Sequence, residues 1–287
     1  MPLGQYGIWN AALRGSDPAQ RAEVVEAAQE LEELGYSALW IGGSSDVSDA
    51  VPIVEATSSI TVATGILNIW HHDAADVAAR HTSLTAAHPG RFLLGLGAGH
   101  SQIDAAYQRP YSATVSYLDA LDTAQPPVPA AERVLAALGP KMLKLSRDRA
   151  AGAHPYLVTP EYVAQARATL GDGPLLAPEL KVVLESDPDR ARTIARGYLS
   201  RYLGLSNYTS NFLRLGFTED DFPDGGSDRL IDALFAWGTP ETVRKRTEEF
   251  LAAGADHLAL QVVDQPSGPG LTRPEWRRLA EALELTR

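Results

Sequence analysis

Residues 60–67 read Ile60-Thr61-Val62-Ala63-Thr64-Gly65-Ile66-Leu67, and residues 92–96 read Phe92-Leu93-Leu94-Gly95-Leu96. The first run is rich in β-branched residues and the second is continuously apolar. Both features are typical of strands that are covered on their two faces. The Ala-rich segment 74–87 between them predicts a helix. Two such strands joined through a helix predict a parallel β–α–β unit.

The same alternation extends over the whole chain. Predicted strands lie at 6–9, 37–41, 60–67, 92–96, 133–137, 154–158, 180–184 and 257–263. Predicted helices lie at 17–35, 51–56, 74–87, 141–151, 160–170, 188–203 and 239–254. Eight such units predict an α/β fold of the (β/α)8 (TIM) barrel type, with a doubly wound open sheet as the alternative. Residues 206–237 predict a helical insertion between strands seven and eight, a lid or subunit contact, within one domain covering 1–287.

Composition excludes several classes of function. The 287 residues include 25 Lys and Arg against 36 Asp and Glu, a net charge of −11, and no basic run, which argues against a nucleic-acid binder. The absence of cysteine excludes disulfides, thiolate metal sites and cysteine nucleophiles. The first residues lack the features of a signal peptide, and no stretch approaches the roughly 18 apolar residues of a membrane span. We therefore expect a soluble cytoplasmic protein without a membrane partner.

The residues that follow the predicted strands are the candidates for function, because barrel active sites lie at the carboxyl ends of strands. These positions are rich in Gly, Asn and His and poor in carboxylates, which argues against paired-carboxylate hydrolysis. The run His71-His72-Asp73 lacks the spacing of a metal motif, so we expect no metal.

Two turns carry more specific signals. The run 95–99, Gly-Leu-Gly-Ala-Gly, is followed by His100 where a dinucleotide fingerprint requires glycine. It is either a turn that admits a flat ligand to the backbone or a loop that only needs positive φ. The turn Leu138-Gly139-Pro140 presents backbone N–H groups at a helix start. These groups either bind a phosphate or only begin the helix, as at many other helix starts.

Several motifs together resemble the luciferase-like monooxygenase superfamily of flavin- and deazaflavin-dependent barrels. They are the stretches at 63–67, 74–80, 88–99, 136–142 and 237–243. The sequence is most similar to actinobacterial members assigned to coenzyme F420. It departs from them after strand two, where Gly42-Gly43-Ser44 lacks the usual catalytic histidine, and at His100, which replaces an acid.

The resemblance implies an F420-dependent oxidoreductase that moves a hydride between the deazaflavin and a small organic substrate. An FMN-dependent monooxygenase and a cofactor-binding barrel without turnover remain alternatives. The implied ring-binding residues are Gly65, Ile66, Leu67, Asn68, Gly97 and Ala98. The implied phosphate-binding residues are Leu138, Gly139 and Pro140. The implied substrate-pocket residues are Trp9, Trp40, Trp70, Tyr156 and Thr159.

Proton transfer is assigned to His100, because the ordinary pKa of histidine lies near neutrality. The resemblance also implies a cis peptide bond between Gly65 and Ile66, and a homodimer.

Overall fold

The computed structural model describes residues 3–15, 17–264 and 270–285. It is an α/β protein built on one curled, parallel sheet. The strands are β1 (Tyr6–Asn10), β2 (Ala38–Gly42), β3 (Thr61–Gly65), β4 (Leu67–Asn68), β5 (Phe92–Gly97), β6 (Arg133–Leu135), β7 (Gly152–Ala153), β8 (Leu175–Leu176), β9 (Glu179–Val183), β10 (Phe235–Trp237) and β11 (Leu258–Val262).

Helices cover the outside of the sheet. They are α1 (Pro18–Glu33), α2 (Val47–Ala56), α3 (Ala74–Ala87), α4 (Pro110–Thr123), α5 (Pro140–Arg149), α6 (Pro160–Leu170), α7 (Pro188–Leu199), α8 (Ser206–Arg214), α9 (Asp228–Leu234), α10 (Pro240–Ala252) and α11 (Arg273–Ala282). Several begin with proline directly after a side-chain cap. Asp17, Asp187 and Thr239, for example, each accept a hydrogen bond from a backbone N–H of the first turn.

The strand order is β10-β9-β11-β1-β2-β3-β5-β6-β7-β8, and β4 pairs with β5. The pairings between the described strands are parallel, as predicted, and β1 pairs with both β2 and β11. Only two residues separate β8 from β9. The backbone N–H groups of Ala177 and Glu179 donate to the carbonyl oxygens of Ala153 and Pro155, each at 2.9 Å. The sheet therefore curls, and segment 175–183 contacts strands from both parts of the order.

The concave interior of the sheet is filled by two indoles. Trp9 and Trp40 form a buried cluster with small residues on the surrounding strands. Those small residues include Ala38, Ala63 and Ala259. Alanine at these strand positions leaves room for the indoles, because large and small side chains must alternate for a curled sheet to close around a packed interior.

The structure corrects several predicted elements. The predicted strand 60–67 is divided into β3 and β4. The predicted strand 154–158 is wrong, since the strand lies at Gly152–Ala153. Pro155 lacks a backbone N–H for a ladder, and Leu157 has φ 55°, so the chain leaves the extended conformation there. The predicted helix 188–203 ends as a helix at Leu199.

Other elements were not predicted. Helices α4 and α11 had no counterpart in the sequence-based prediction. Segment 206–237 contains α8 and α9, but its last three residues form β10, in which Phe235 pairs with Lys181 of β9. A strand of three residues is too short to show periodicity, which is why the sequence pattern missed it.

Candidate functional site

The indole of Trp9 spans the carboxyl ends of β1, β2 and β3. Its Nε1 donates to the carbonyl oxygen of Gly65 at 3.0 Å. A Cβ on Gly42 would lie 2.5 Å from Trp9 Cη2, and a Cβ on Gly65 would lie 2.7 Å from Trp9 Nε1. These two glycines are therefore required by the close approach of the indole. The Gly65–Ile66 peptide bond is cis, as predicted, and the Ile66 N–H donates to the Gly43 carbonyl oxygen at 3.1 Å.

The six predicted ring-binding residues lie together at the ends of β3, β4 and β5. A Cβ on Gly97 would lie 2.7 Å from Ile66 Cδ1, which shows how closely the two segments pack. Only Ile66 and Ala98 of the six keep partly exposed surface. Leu67 is fully buried in the core, which does not fit direct contact with a ligand. The face of Gly65 is occupied by Trp9. We call the carboxyl ends of the strands the mouth of the sheet. A flat ligand at the mouth would therefore contact Ile66 and Ala98.

Asp104 organises the loops beyond β4 and β5. Its two carboxylate oxygens accept from Asn68 Nδ2 at 3.2 and 3.1 Å. His71 Nε2 lies 2.8 Å from Asp104 Oδ1, and the His100 backbone N–H lies 3.3 Å from Oδ2. Gly99 has φ 64°, and a Cβ there would lie 2.2 Å from Asp104 Oδ2. The glycine-rich turn, residues 95–99, thus wraps the buried carboxylate of Asp104. We call Asn68, His71, His100 and Asp104 the Asp104 cluster.

The sequence-based prediction missed Asp104. The sequence signal that could have indicated it is its position, four residues after His100, which follows the glycine-rich turn. A carboxylate there can accept hydrogen bonds from the backbone N–H groups of the turn.

His100, the predicted proton-transfer residue, is half-buried between this turn and α8. Its Nδ1 lies 3.3 Å from Asn207 Nδ2, and its ring centroid lies 5.1 Å from that of Tyr208. Burial lowers the pKa of His100, and the charge of Asp104 partly opposes that shift. Asn207 Nδ2 also lies 3.3 Å from the carbonyl oxygen of Gly99. Helix α8 therefore covers one side of the glycine-rich turn.

The predicted phosphate turn lies at the start of α5. Gly139 is the N-cap with φ −94°, makes no side-chain cap, and is followed by Pro140. A Cβ on Gly139 would find no atom within 4 Å. Neither backbone conformation nor internal packing therefore requires glycine here. An open helix start with Lys141 exposed in its first turn fits an anionic group.

A buried charge pair lies beyond Tyr156, whose ring centroid is 5.4 Å from that of Trp9. Lys181 Nζ is 2.8 Å from Glu179 Oε2 and 3.6 Å from the ring centroid of Tyr156. Burial lowers the pKa of Lys181 to about 8, against the opposing effect of Glu179. Tyr156 Oη donates to Gln261 Oε1 at 2.8 Å, and Gln261 Nε2 donates to Tyr198 Oη at 2.7 Å. The sequence signal for this pair was two charges, two residues apart, on one face of an apolar strand.

Two predicted pocket residues belong to the core. Trp40 is 0% exposed, stacks on His154 at 4.1 Å and donates from Nε1 to His257 Nε2 at 3.0 Å. Thr159 is buried, and its hydroxyl caps α6 by accepting from the Tyr162 N–H. Packing accounts for Trp40 and helix capping for Thr159 in this structure. Trp70 is partly exposed and donates from Nε1 to the Ala98 carbonyl oxygen at 2.5 Å.

A cavity of about 120 Å³ opens between the ends of β1 and β11. Its lining includes Trp9, Asn10, Tyr198 and Gln261. Pockets for drug-sized ligands have volumes of about 300 Å³ or more, so this cavity fits a small substrate rather than a tricyclic cofactor. Over the described ranges, no group of three or more His, Asp or Glu side chains has the arrangement of a metal site, and no helix is long and apolar enough to cross a membrane.

Residues 5–257 match the model of the luciferase-like monooxygenase family. The chain belongs to this family. No curated protein sequence matches it.

Solved structures show where this fold recurs. An F420-dependent secondary alcohol dehydrogenase in complex with an F420–acetone adduct is 16% identical, with complete coverage of both chains and a TM-score of 0.74. The coenzyme F420-dependent tetrahydromethanopterin reductase of Methanopyrus kandleri is 17% identical over 99% of this chain and 97% of that chain, with a TM-score of 0.66. The FMN-bound oxygenating constituent of 3,6-diketocamphane monooxygenase from Pseudomonas putida is 13% identical over 98% and 96%, with a TM-score of 0.61. At these identities the likeness concerns the fold alone.

Proposed function

We propose that this luciferase-like protein is an oxidoreductase that binds coenzyme F420 and moves a hydride between the deazaflavin and a small organic substrate. The observation that carries the proposal is that an apolar surface and an open helix start lie side by side at the carboxyl ends of neighbouring strands. Ile66 and Ala98 offer exposed apolar surface at the ends of β3 and β5, and the open Gly139 turn follows β6. Strands β5 and β6 are paired, so a flat ring and its anionic tail can be held side by side.

The finer architecture is part of this proposal. We propose that the curled sheet is a closed (β/α)8 barrel in which 175–183 acts as one interrupted strand. The hydrogen bonds from Ala177 to Ala153 of β7 and from Glu179 to Pro155 just after it, and the pairing of β9 with β11, support closure. In this arrangement 206–237 is an insertion before the last strand, and its α8 covers the glycine-rich turn at the mouth.

Each part of the mouth then has a defined task. A bound deazaflavin supplies or accepts the hydride, which is chemistry the protein lacks by itself. The Gly139 turn binds the anionic tail through backbone N–H groups at the start of α5. Trp9 holds Gly65 in place and excludes water from the interior. Proton handling falls to the Asp104 cluster, which includes the predicted catalytic residue His100.

Ligand binding tests the proposal directly. Titration of the protein into oxidised F420 is expected to quench the fluorescence of the deazaflavin with a saturable curve, whereas FMN is expected to bind at least tenfold more weakly. Tight FMN binding with no F420 binding would contradict the proposal and support the FMN-dependent monooxygenase instead. Binding of F420 without reduction or oxidation by any small alcohol, ketone or aldehyde would support a binding protein without turnover.

We also propose that the protein acts on a small-molecule substrate as a cytoplasmic homodimer. Size-exclusion chromatography with light scattering is expected to give twice the 30.8 kDa mass of the chain. A monomer at micromolar concentration would contradict the dimer.

A further inference from the structure

Three polar side chains from three neighbouring loops form a continuous chain at the mouth. Ser44 follows β2, His71 follows β4 and Asp104 follows β5. Ser44 Oγ lies 3.4 Å from His71 Nδ1, and His71 Nε2 lies 2.8 Å from Asp104 Oδ1. Exposure rises along the chain: the side chain of Asp104 is 4% exposed, that of His71 is 51% exposed, and Ser44 is exposed.

The partners of His71 determine which ring nitrogen carries its proton. An ionised carboxylate only accepts hydrogen bonds, so Asp104 selects the form of His71 that is protonated on Nε2. Nδ1 then has a free lone pair directed at Ser44, and the Ser44 hydroxyl donates to it. The Ser44–His71 distance is long, as hydrogen bonds of this kind often are before substrate binds.

Asp104 is fixed independently of His71. Asn68 Nδ2 donates to both of its oxygens, and the His100 backbone N–H points at Oδ2. The carboxylate is therefore held in one orientation by Asn68 on β4 and by the glycine-rich turn. A buried, immobilised carboxylate behind a half-exposed imidazole fixes the orientation of the ring and selects its neutral tautomer.

The exposed end of the chain adjoins the proposed ring site. Gly43, which precedes Ser44, accepts a hydrogen bond from the Ile66 N–H. The carbonyl oxygen of Ser44 accepts from Arg14 Nη1 at 3.0 Å, which fixes the loop from its other side. The loop that carries Ser44 is thus tied, through Gly43, to Ile66, the residue proposed to contact the cofactor.

We propose that Ser44, His71 and Asp104 form a proton relay. Ser44 is the catalytic residue, His71 positions Ser44 and returns its proton, and Asp104 positions His71. This inference rests on the proposed function. As a hydride arrives at the carbonyl carbon of the substrate, the C=O π electrons move to oxygen, which takes the Ser44 Oγ proton. This step starts from the imidazolium form of His71, in which Nδ1–H donates to Ser44 Oγ. Ser44 Oγ takes that proton, which leaves the neutral ring protonated on Nε2, and a proton from solvent restores the imidazolium at the half-exposed ring. Alcohol oxidation runs the same steps in reverse.

The geometry of the relay is testable without cofactor. Long-range ¹H–¹⁵N NMR of the protein as purified, recorded over a range of pH, is expected to show that the neutral form of His71 is protonated on Nε2. Asp104→Asn is expected to lose this preference, whereas His72→Gln, at the adjacent position, is expected to keep it. A His71 ring protonated on Nδ1 in the wild-type protein would overturn the relay.

Kinetics test its role. With reduced F420 and a panel of small ketones and aldehydes, Ser44→Ala and His71→Gln are expected to lower turnover about 10²-fold or more, because general acid–base groups contribute at this level. The F420 dissociation constant is expected to stay within about twofold. Ser44→Thr, which keeps the hydroxyl, is expected to restore most of the turnover. Ser48→Ala, an exposed serine of α2, is the matched control.

The remaining outcomes separate the relay from the proposed function. If Ser44→Ala turns over at the wild-type rate, the relay is overturned but the proposed function is not. A loss of turnover in His100→Ala alone would then assign the proton transfer to His100. Covalent labelling of Ser44 by a fluorophosphonate would show a nucleophile in place of a proton carrier and would also overturn the relay. No turnover of any carbonyl compound by the wild-type protein would overturn the hydride-transfer proposal, and the relay with it.

Discussion

The indole nitrogen of Trp9 donates a 3.0 Å hydrogen bond to the carbonyl oxygen of Gly65, two strands away. To reach it, the ring passes over Gly42, the last residue of the intervening strand β2. The contact joins β1 to β3 across the mouth, next to Ile66. One tryptophan therefore accounts for two glycines, and it separates the sheet interior from the proposed ring site.

Gly42→Ala is expected to lower the free energy of unfolding by about 1–3 kcal/mol, the usual range for overpacking a close contact. The new Cβ would lie 2.5 Å from Trp9 Cη2 and would displace the indole. Urea denaturation followed by circular dichroism measures the change. Gly204→Ala, at a position with no atom within 4 Å of the added Cβ, is the control. An unchanged midpoint for Gly42→Ala would mean that the indole moves without cost.

Gly139→Val is expected to weaken F420 binding at least tenfold, which corresponds to about 1.4 kcal/mol, while the melting temperature stays unchanged. The added side chain would point into open space, so the fold tolerates it, but it would obstruct the approach of an anion to the first turn of α5. Fluorescence titration with oxidised F420 measures the affinity. Gly204→Val serves as the control, and equal affinity for Gly139→Val and wild type would place the anionic tail elsewhere.

Lys181→Met is expected to lower the free energy of unfolding by about 3–5 kcal/mol, the cost of leaving one partner of a buried ion pair alone. Glu179 has no other charged partner within hydrogen-bonding distance among the described residues, and its Oε1 is already without a hydrogen bond. The double variant Glu179→Leu/Lys181→Met is expected to recover most of the loss. Urea denaturation at pH 7.5 provides the comparison, with Arg147→Met of the exposed Arg147–Asp148 pair as a control expected to change little. A loss in the double variant as large as in the single variant would contradict an ion-pair origin.

The sequence predicted the elements that depend on local pattern. Strand β5 and helix α3 are close to their predicted bounds because apolar runs and caps act within a few residues. The Asp104 cluster could not be predicted in this way. Asn68 ends β4, whereas His71 and Asp104 belong to two separate loops, and the pairing of β4 with β5 brings the three together. The burial of Trp40 could not be predicted for a related reason, since alanines on other strands decide how far the indole enters the interior.

The stability of the protein is expected to fall as the pH decreases below about 6.5, because His154 and His257 are buried without charge. Burial lowers the pKa of each from 6.5 to about 4. Between these values the unfolded chain binds the protons and the folded chain does not, so the free energy of unfolding decreases as pH falls toward 4 and is constant above 6.5 with respect to these groups. At pH 4 each histidine lowers the free energy of unfolding by on the order of 3 kcal/mol, because its pKa falls from 6.5 to about 4 on folding and each pH unit corresponds to about 1.36 kcal/mol. Urea denaturation between pH 7.5 and 4.5 measures the slope. His154→Gln is expected to reduce that slope by about one proton, and His88→Gln, at the C-cap of α3, is the control. An identical slope in wild type and His154→Gln would show that His154 takes up its proton within the folded protein.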